Sequence, residues 1–243
     1  MKEKIKVVSV LPNLLGTYGD SGNAVIVSKR LALRGFKVDL VHADLRSGVP
    51  SDADFYLIGG GEDGPQSRAA EFLAIDTPLE RALDKGAGLL AVCAGFQILG
   101  RSFIGPDMAP RNGLGIFGCR THRFEGPRSV GELVVDPGDA MPGVPMMTGY
   151  ENHQGITELL DGTRPLGIVR AGNGNNFGPQ VDGGVIGRAI GTYMHGPVFA
   201  RNPKFCDYFL SLVLGHLDPI RDEGLENSHN RLYFERINQV LME

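Results

Sequence analysis

Cys93 and His195 are the residues in this chain whose types and surroundings suit nucleophilic chemistry. Cys93 lies in Gly88-Leu-Leu-Ala-Val-Cys93-Ala-Gly95-Phe-Gln97, an apolar run that reads as a buried strand and stops at a thiol followed by a small residue and a glycine. Such a strand-to-helix turn exposes a nucleophile at its tip. A sulfur held there meets the unpaired amides and positive dipole end of the next helix, and both favour thiolate. His195, in Gly191-Thr-Tyr-Met-His195-Gly-Pro197, follows another apolar run, so a parallel sheet would bring both groups to one rim. A free thiol near pKa ~8.5 is mostly protonated at neutral pH, whereas an imidazolium and a helix N-terminus bring it to roughly 3.5 to 7.5. The pair would then attack an acyl or amide carbon. An isolated cysteine is more often a small buried hydrophobe; the turn and the strand-end histidine favour catalysis here.

Acyl transfer also needs donors aimed at the developing oxyanion, each worth about 3 to 4 kcal/mol when well placed. Gly59-Gly60-Gly61 closes a neighbouring strand and lets the backbone approach a substrate closely, with the N–H of Ala94 as the second donor. A turn that needs positive φ explains the glycine run equally well. It is not a nucleotide loop, because no Gly-Lys-Ser/Thr follows and no Gly-x-Gly-x-x-Gly opens a helix after a strand.

These residues must be positioned by alternating strands and helices. Residues 4–11 read as a first strand, 16–23 as a Gly/Asp-rich loop and 24–33 as a helix, its start capped by Ser21 or Asn23 and its end marked by Gly35. Strands follow at 36–42, 54–58 and 88–92, with helical sequence over 66–84 broken before Pro78. This order argues for a mostly parallel sheet with helices on both faces and functional groups at the carboxyl ends of the strands. After a short helix from Ala94 the texture turns β-rich, at 116–123, 130–136 and 166–169, consistent with an antiparallel β extension. Residues 184–193 read as one late strand, Pro203 opens a helix to about Leu214, and 227–242 as a surface helix. No linker or repeat interrupts the chain, so residues 1–243 are expected to form one domain.

Composition limits the partners. The 243 residues are 42% hydrophobic and 21% charged with a formal charge of −4, an ordinary globular balance. No general basic field is available for nucleic acid. Cys93, Cys119 and Cys206 are an odd number without Cys-x-x-Cys spacing, which reads as a reduced cytoplasmic chain. The six histidines, including His42, His122, His216 and His229, show no pairing that suggests a metal site, and none is expected. The N-terminal apolar run ends at Pro12-Asn13 and is too short for a signal peptide, and nothing approaches the ~20 apolar residues of a membrane span.

Taken together, Gly59-Gly60-Gly61, Cys93-Ala-Gly95-Phe-Gln97 and His195 resemble the class I, triad-type glutamine amidotransferases, which have a flavodoxin-like fold. Tyr18-Gly-Asp20-Ser-Gly22-Asn23, Arg128-Ser-Val-Gly-Glu132, Tyr150-Glu-Asn-His153-Gln-Gly155 and the His195-Gly-Pro197 segment resemble the cobyric-acid-synthase-like branch, within it the GatD-type subunits of lipid II isoglutaminyl synthases. The resemblance covers nearly the whole chain. It implies that Cys93 attacks the side-chain amide of L-glutamine, that His195 protonates departing ammonia and later activates water, and that Arg128 grips the substrate carboxylate. It also places Gly60, Gly61, Ala94 and Gln97 around the substrate. Ammonia would pass to a MurT-like, Mur-ligase-type subunit in a heterodimer. That partner would hold the ATP and magnesium, and would amidate the D-glutamate α-carboxyl of lipid II to D-isoglutamine at the inner face of the membrane. This chain itself would need no cofactor.

Two departures from the class I pattern matter. Ala91 stands where many members have glycine, a small change. Pro197 stands where many carry glutamate two residues after the histidine, so His195 lacks its usual local carboxylate; either a carboxylate of the partner subunit completes the site or the pair suffices alone. Asp20 and Asn23 read as helix caps ahead of partner contacts. His153 reads as a histidine bonded within the β extension ahead of a pocket or interface role, and residues 218–226 as a solvated loop. A cobyric-acid-type amidotransferase domain, a cysteine peptidase of similar fold and a catalytically silent binding module are the competing functions.

Overall fold

The computed structural model describes residues 4–176, 180–220 and 223–242. From the N-terminus run β1 (Lys4–Val10), α1 (Gly22–Ala32), β2 (Lys37–Ala43), β3 (Phe55–Ile58), α2 (Asp63–Leu73), α3 (Pro78–Asp84), β4 (Gly88–Val92) and α4 (Ala94–Ile98). Every residue of β3 and β4 is buried. Strands covered on both faces lose the polar alternation of half-exposed ones, which is why these two are unbroken apolar runs. The break expected before Pro78 is present: α2 and α3 are separated where Asp76 and Thr77 take left-handed backbone and Pro78 starts α3.

Beyond α4 come β5 (Ser102–Ile104), β6 (Pro110–Asn112), β7 (Cys119–Arg123), β8 (Ser129–Asp136), β9 (Met147–His153), β10 (Gly155–Leu159), β11 (Gly167–Ala171) and β12 (Val181–Asp182). They form two four-stranded sheets, ordered β10-β7-β5-β6 and β12-β11-β8-β9, and the pairs are antiparallel apart from one β5–β7 bridge. This is the expected antiparallel extension. The chain then returns to the first sheet through β13 (Gly184–Ile186) and β14 (Ala189–Thr192), and ends in α5 (Val198–Arg201), α6 (Pro203–Leu214) and α7 (Glu223–Met242).

The main sheet has the order β13-β14-β4-β3-β1-β2, and every pair in it is parallel except β13–β14. The single late strand expected over 184–193 is therefore a hairpin. Ile186 pairs with Ala189, and Gly187, at φ +55°, supplies the backbone that a two-residue turn requires. The last helix begins at Glu223, so residues 223–226 are helical where a loop was expected. Arg221 and Asp222 of that stretch, like the side chains of Glu223, Glu226 and His229, lie outside the described residues.

One apolar cluster runs through the main sheet and into the extension, with Phe55, Phe96, Leu133, Met147 and Phe209 all buried. A smaller one, Val134, Tyr233 and Ile237, fastens α7 to β8. The main cluster is packed without slack beneath α4. A Cβ added at Gly191 of β14 would lie 2.0 Å from the Phe96 ring, and overfilling a close-packed core costs about 1 to 3 kcal/mol. Gly191→Ala is therefore expected to lower the urea-unfolding free energy by about that amount, while Ile168→Ala on the half-exposed outer face of β11 shifts it by less than about 0.5 kcal/mol.

Candidate active site

In the parallel sheet β4 and β14 are neighbours in register, with Val92 opposite Thr192, so the residues leaving both strands emerge at one carboxyl edge. Cys93 is the first residue past β4. Its backbone is at φ 50°, ψ −109°, a region that costs a non-glycine residue on the order of 1–3 kcal/mol. The strain is held from three sides. The Cys93 N–H donates to the Thr192 carbonyl (2.8 Å) and its carbonyl accepts from Gln97 N (3.0 Å). Gly95 lets α4 sit against β3, where a Cβ would meet Ile58 Cγ2 at 2.7 Å and the Gly59 carbonyl at 2.9 Å. The turn thus keeps the thiol at the edge of the sheet and 93% shielded.

His195 is 1% exposed. Its backbone is clamped in both directions to β9, the N–H donating to the Tyr150 carbonyl (2.8 Å) and the carbonyl accepting from Tyr150 N (3.1 Å). The segment before it is set by buried Asp182 of β12, which accepts from Thr192 Oγ1 (2.5 Å) and Tyr193 N (3.1 Å), while Thr192 Oγ1 accepts from Met194 N (3.0 Å).

The imidazole is oriented by a residue assigned to a cap from the sequence. Nδ1 donates to Asp20 Oδ2 at 2.7 Å, and the same oxygen accepts from Gly60 N at 2.8 Å. Three expectations are thereby corrected. Asp20 does not cap α1, and neither do the other candidates: the Ser21 side chain makes no capping bond and Asn23 Oδ1 accepts from Phe199 N (3.0 Å). Gly60 directs its amide to Asp20 and is not aimed at an oxyanion. His195 does not lack a carboxylate within the chain, so no partner residue is needed to orient it. The missing signal lay in chain order, since a polar loop after the first parallel strand opens on the same sheet edge as Cys93.

The motifs that stood far apart in sequence interlock here. A Cβ on Gly22 would lie 2.4 Å from Pro197 Cγ, and one on Gly60 would lie 2.6 Å from His195 Cε1 and 3.4 Å from Cys93 Cβ. The glycines 59–61 are absent from the positive-φ residues, so close approach, and not a left-handed turn, explains the run.

With Nδ1 engaged by Asp20, Nε2 is left to the sulfur. It is buried with no partner of ordinary hydrogen-bond geometry. Burial by itself lowers the imidazole, but the neighbouring Cys93, the hydrogen bond to Asp20 and the charge of Asp20 together outweigh it, and His195 is pushed up to about 10. The raised value favours the imidazolium form, the partner that stabilises a thiolate nucleophile.

A pocket opens beside Cys93. Ala94, Gly61, Gln97 and Arg128 line it, together with Asn152 and His153. Arg128 is exposed and its guanidinium donates to Asn152 Oδ1 (2.7 Å) and the Asn152 carbonyl (3.2 Å); among the described residues no carboxylate pairs with it. Gln97 is held from behind, accepting from Gln66 Nε2 (2.7 Å) and donating to Tyr193 Oη (3.0 Å). His153 stacks on Tyr193 at 3.9 Å and its nitrogens face the Gly155 carbonyl and the Glu151 carboxylate, so it is bonded within the extension and lines the pocket as well.

A buried thiol, an imidazolium oriented by a carboxylate and a pocket with an open guanidinium are equipped for nucleophilic attack on a small amide that carries an anionic group. Residues 6–203 match the CobB/CobQ-like glutamine amidotransferase domain. The chain belongs to this family. It is 34% identical over 209 residues to the glutamine-hydrolyzing subunit GatD of lipid II isoglutaminyl synthase from Staphylococcus aureus, covering 85% of this chain and 83% of that one. The Streptococcus pneumoniae subunit of the same name is 33% identical over 217 residues, covering 87% and 81%. A crystal structure of a glutamine amidotransferase shares the fold with a TM-score of 0.57 at 20% identity, covering 85% of this chain and 98% of the other.

Two measurements probe this amidotransferase site. Asp20→Asn is expected to bring the His195 titration, followed by NMR, below about 10, and to cut kcat roughly a hundredfold or more while KM for glutamine holds; the loss stays under the ~10⁴ of serine triads because a thiol leans less on its base. Burial pushes Asp182 up to about 6 from 3.8, with the Glu151 charge adding to it and the Thr192 and Tyr193 hydrogen bonds and the His153 charge opposing it. A carboxyl raised in the folded state withholds no stability below its unfolded value and withholds more as pH climbs through the window from 3.8 to 6. Relative to Asp182→Asn, the parent chain is therefore expected to be more stable at pH 4 than at pH 7 in urea titrations.

Proposed function

We propose that this amidotransferase is the glutamine-hydrolysing subunit of a lipid II isoglutaminyl synthase. The observation that carries the chemistry is the Asp20–His195 hydrogen bond set beside Cys93, at the wall of a pocket where Arg128 meets no carboxylate among the described residues. The acceptor is assigned from the two named subunits, which match this chain over more than four-fifths of their own length.

In this reading the α-carboxylate of L-glutamine docks on Arg128, which offers a planar fork of donors, and the side-chain amide lies against Cys93. Sulfur attacks the amide carbon and the oxygen takes up negative charge. The amides of Ala94 and Gly61 receive it, Gly60 being engaged with Asp20. His195 gives its proton to the departing nitrogen, and ammonia leaves. The now neutral imidazole takes a proton from water, hydroxide adds to the thioester, and glutamate departs as the sulfur returns to thiolate beside imidazolium. Asp20 stays ionised throughout, fixing the ring and its charge. Gln97 shapes the pocket floor.

Ammonia is delivered to a Mur-ligase-type, MurT-like partner in a heterodimer, which supplies ATP and magnesium and activates the D-glutamate α-carboxyl of lipid II. Among the described residues no helix is long and apolar enough to cross a membrane. The test is a complex of this chain with such a partner. Cys93→Ala is expected to abolish glutamine-dependent amidation of lipid II, by at least about 10³-fold, yet to leave amidation intact when ammonium chloride replaces glutamine. Loss of both nitrogen sources, or amidation of another acceptor in preference to lipid II, contradicts the assignment.

A further inference from the structure

Asn152 of β9 sits where two parts of the site meet. Its orientation is dictated by chemistry. Arg128 Nε can only donate, so the oxygen 2.7 Å from it must be Oδ1, and the other arm of the amide is the donor. That Nδ2 donates to Tyr18 Oη at 2.7 Å. Tyr18 in turn stands edge-on to the His195 ring, with centroids 4.9 Å apart, and lies two residues before Asp20. Its backbone is left-handed at φ 61°, a conformation unfavourable for a bulky residue, and its side chain is held by Asn152 and His195, both outside the loop. One amide therefore links the guanidinium that awaits an anion to the loop that carries the orienting carboxylate.

We propose that Asn152 is a positioning and specificity-determining residue. It presents Arg128 to the α-carboxylate of the substrate and, through Tyr18, ties that contact to the loop bearing Asp20, so that the enzyme selects amides carrying a free α-carboxylate. The proposal rests on the reading that Arg128 receives that carboxylate. The β8–β9 ladder gives Asn152 a fixed place, opposite Val130, while Arg128 lies immediately before β8. With Nδ2 donating, the Tyr18 hydroxyl keeps its own proton free for the pocket.

The test uses the full chain and two readouts, turnover of L-glutamine and the rate at which iodoacetamide alkylates Cys93. Iodoacetamide carries no α-carboxylate and reports only on the nucleophile. Asn152→Leu is expected to raise KM for glutamine at least tenfold with kcat and the alkylation rate within threefold of the parent. Asn152→Asp raises KM as well, because a carboxylate there pairs with Arg128 and competes with that of the substrate. Tyr18→Phe, which keeps the ring on His195 and removes only the oxygen, raises KM by a smaller factor than Asn152→Leu. If Arg128→Ala raises KM and Asn152→Leu does not, the role of Asn152 is overturned and the carboxylate reading stands. If Arg128→Ala leaves KM unchanged, the reading itself falls and the proposal with it. If Asn152→Leu slows alkylation as much as turnover, Asn152 merely holds the fold, which also overturns it.

Discussion

The hydrogen bond to Asp20 that fixes the buried imidazole of His195 beside Cys93 organises the rest of the molecule. One nitrogen is bound to Asp20 and the other is left to Cys93. A buried cation is expensive unless counter-charges stand beside it, so neither neighbour can be displaced without destabilising the site. The three come from separate segments, after β1, after β4 and after β14, and the parallel run of these strands brings their ends to one edge.

The constraint accounts for where small residues sit. Gly22, Gly60, Gly95 and Gly191 each occupy a place where a methyl group would strike Pro197, His195, Ile58 or Phe96. None of these four takes positive φ. They are small because the segments that carry the reactive groups must pack against one another, and the strained backbone at Cys93 survives because the surrounding contacts leave it no alternative. The antiparallel extension adds the second half of the pocket. Its strand β9 clamps His195 through Tyr150 and carries Asn152 and His153 to the substrate side.

Much of this was readable from the residues. Strand β4 could be placed to the residue because burial on both faces leaves an uninterrupted apolar run, and the thiol after it was conspicuous because the run stops there. Local rules failed where a distant partner overrode them. Asp20 sits in Gly-Asp-Ser-Gly-Asn before a helix, the composition of a cap, yet its partner lies 175 residues away; short-range chemistry has no view of that contact. The same blindness counted Gly60 among the residues around the substrate, although its amide is committed to Asp20. The β13–β14 hairpin was hidden because its turn, Gly187-Arg188, is only two residues long inside an apolar stretch. Arg128 was found through the family pattern, while its tie to Tyr18 by way of Asn152 depends on a register that only the folded β8–β9 pair reveals.

The central claim is that Cys93 is a nucleophile shaped for the side-chain amide of glutamine. Diazo-oxonorleucine, a glutamine analogue with an electrophilic carbon at the position of the amide, tests it most directly when the labelled protein is mapped by peptide mass spectrometry. Stoichiometric labelling confined to Cys93, slowed by free L-glutamine and sparing buried Cys119 and Cys206, is the outcome the geometry predicts. A chain that stays unlabelled, or that is modified equally at other cysteines and without protection by glutamine, would contradict it.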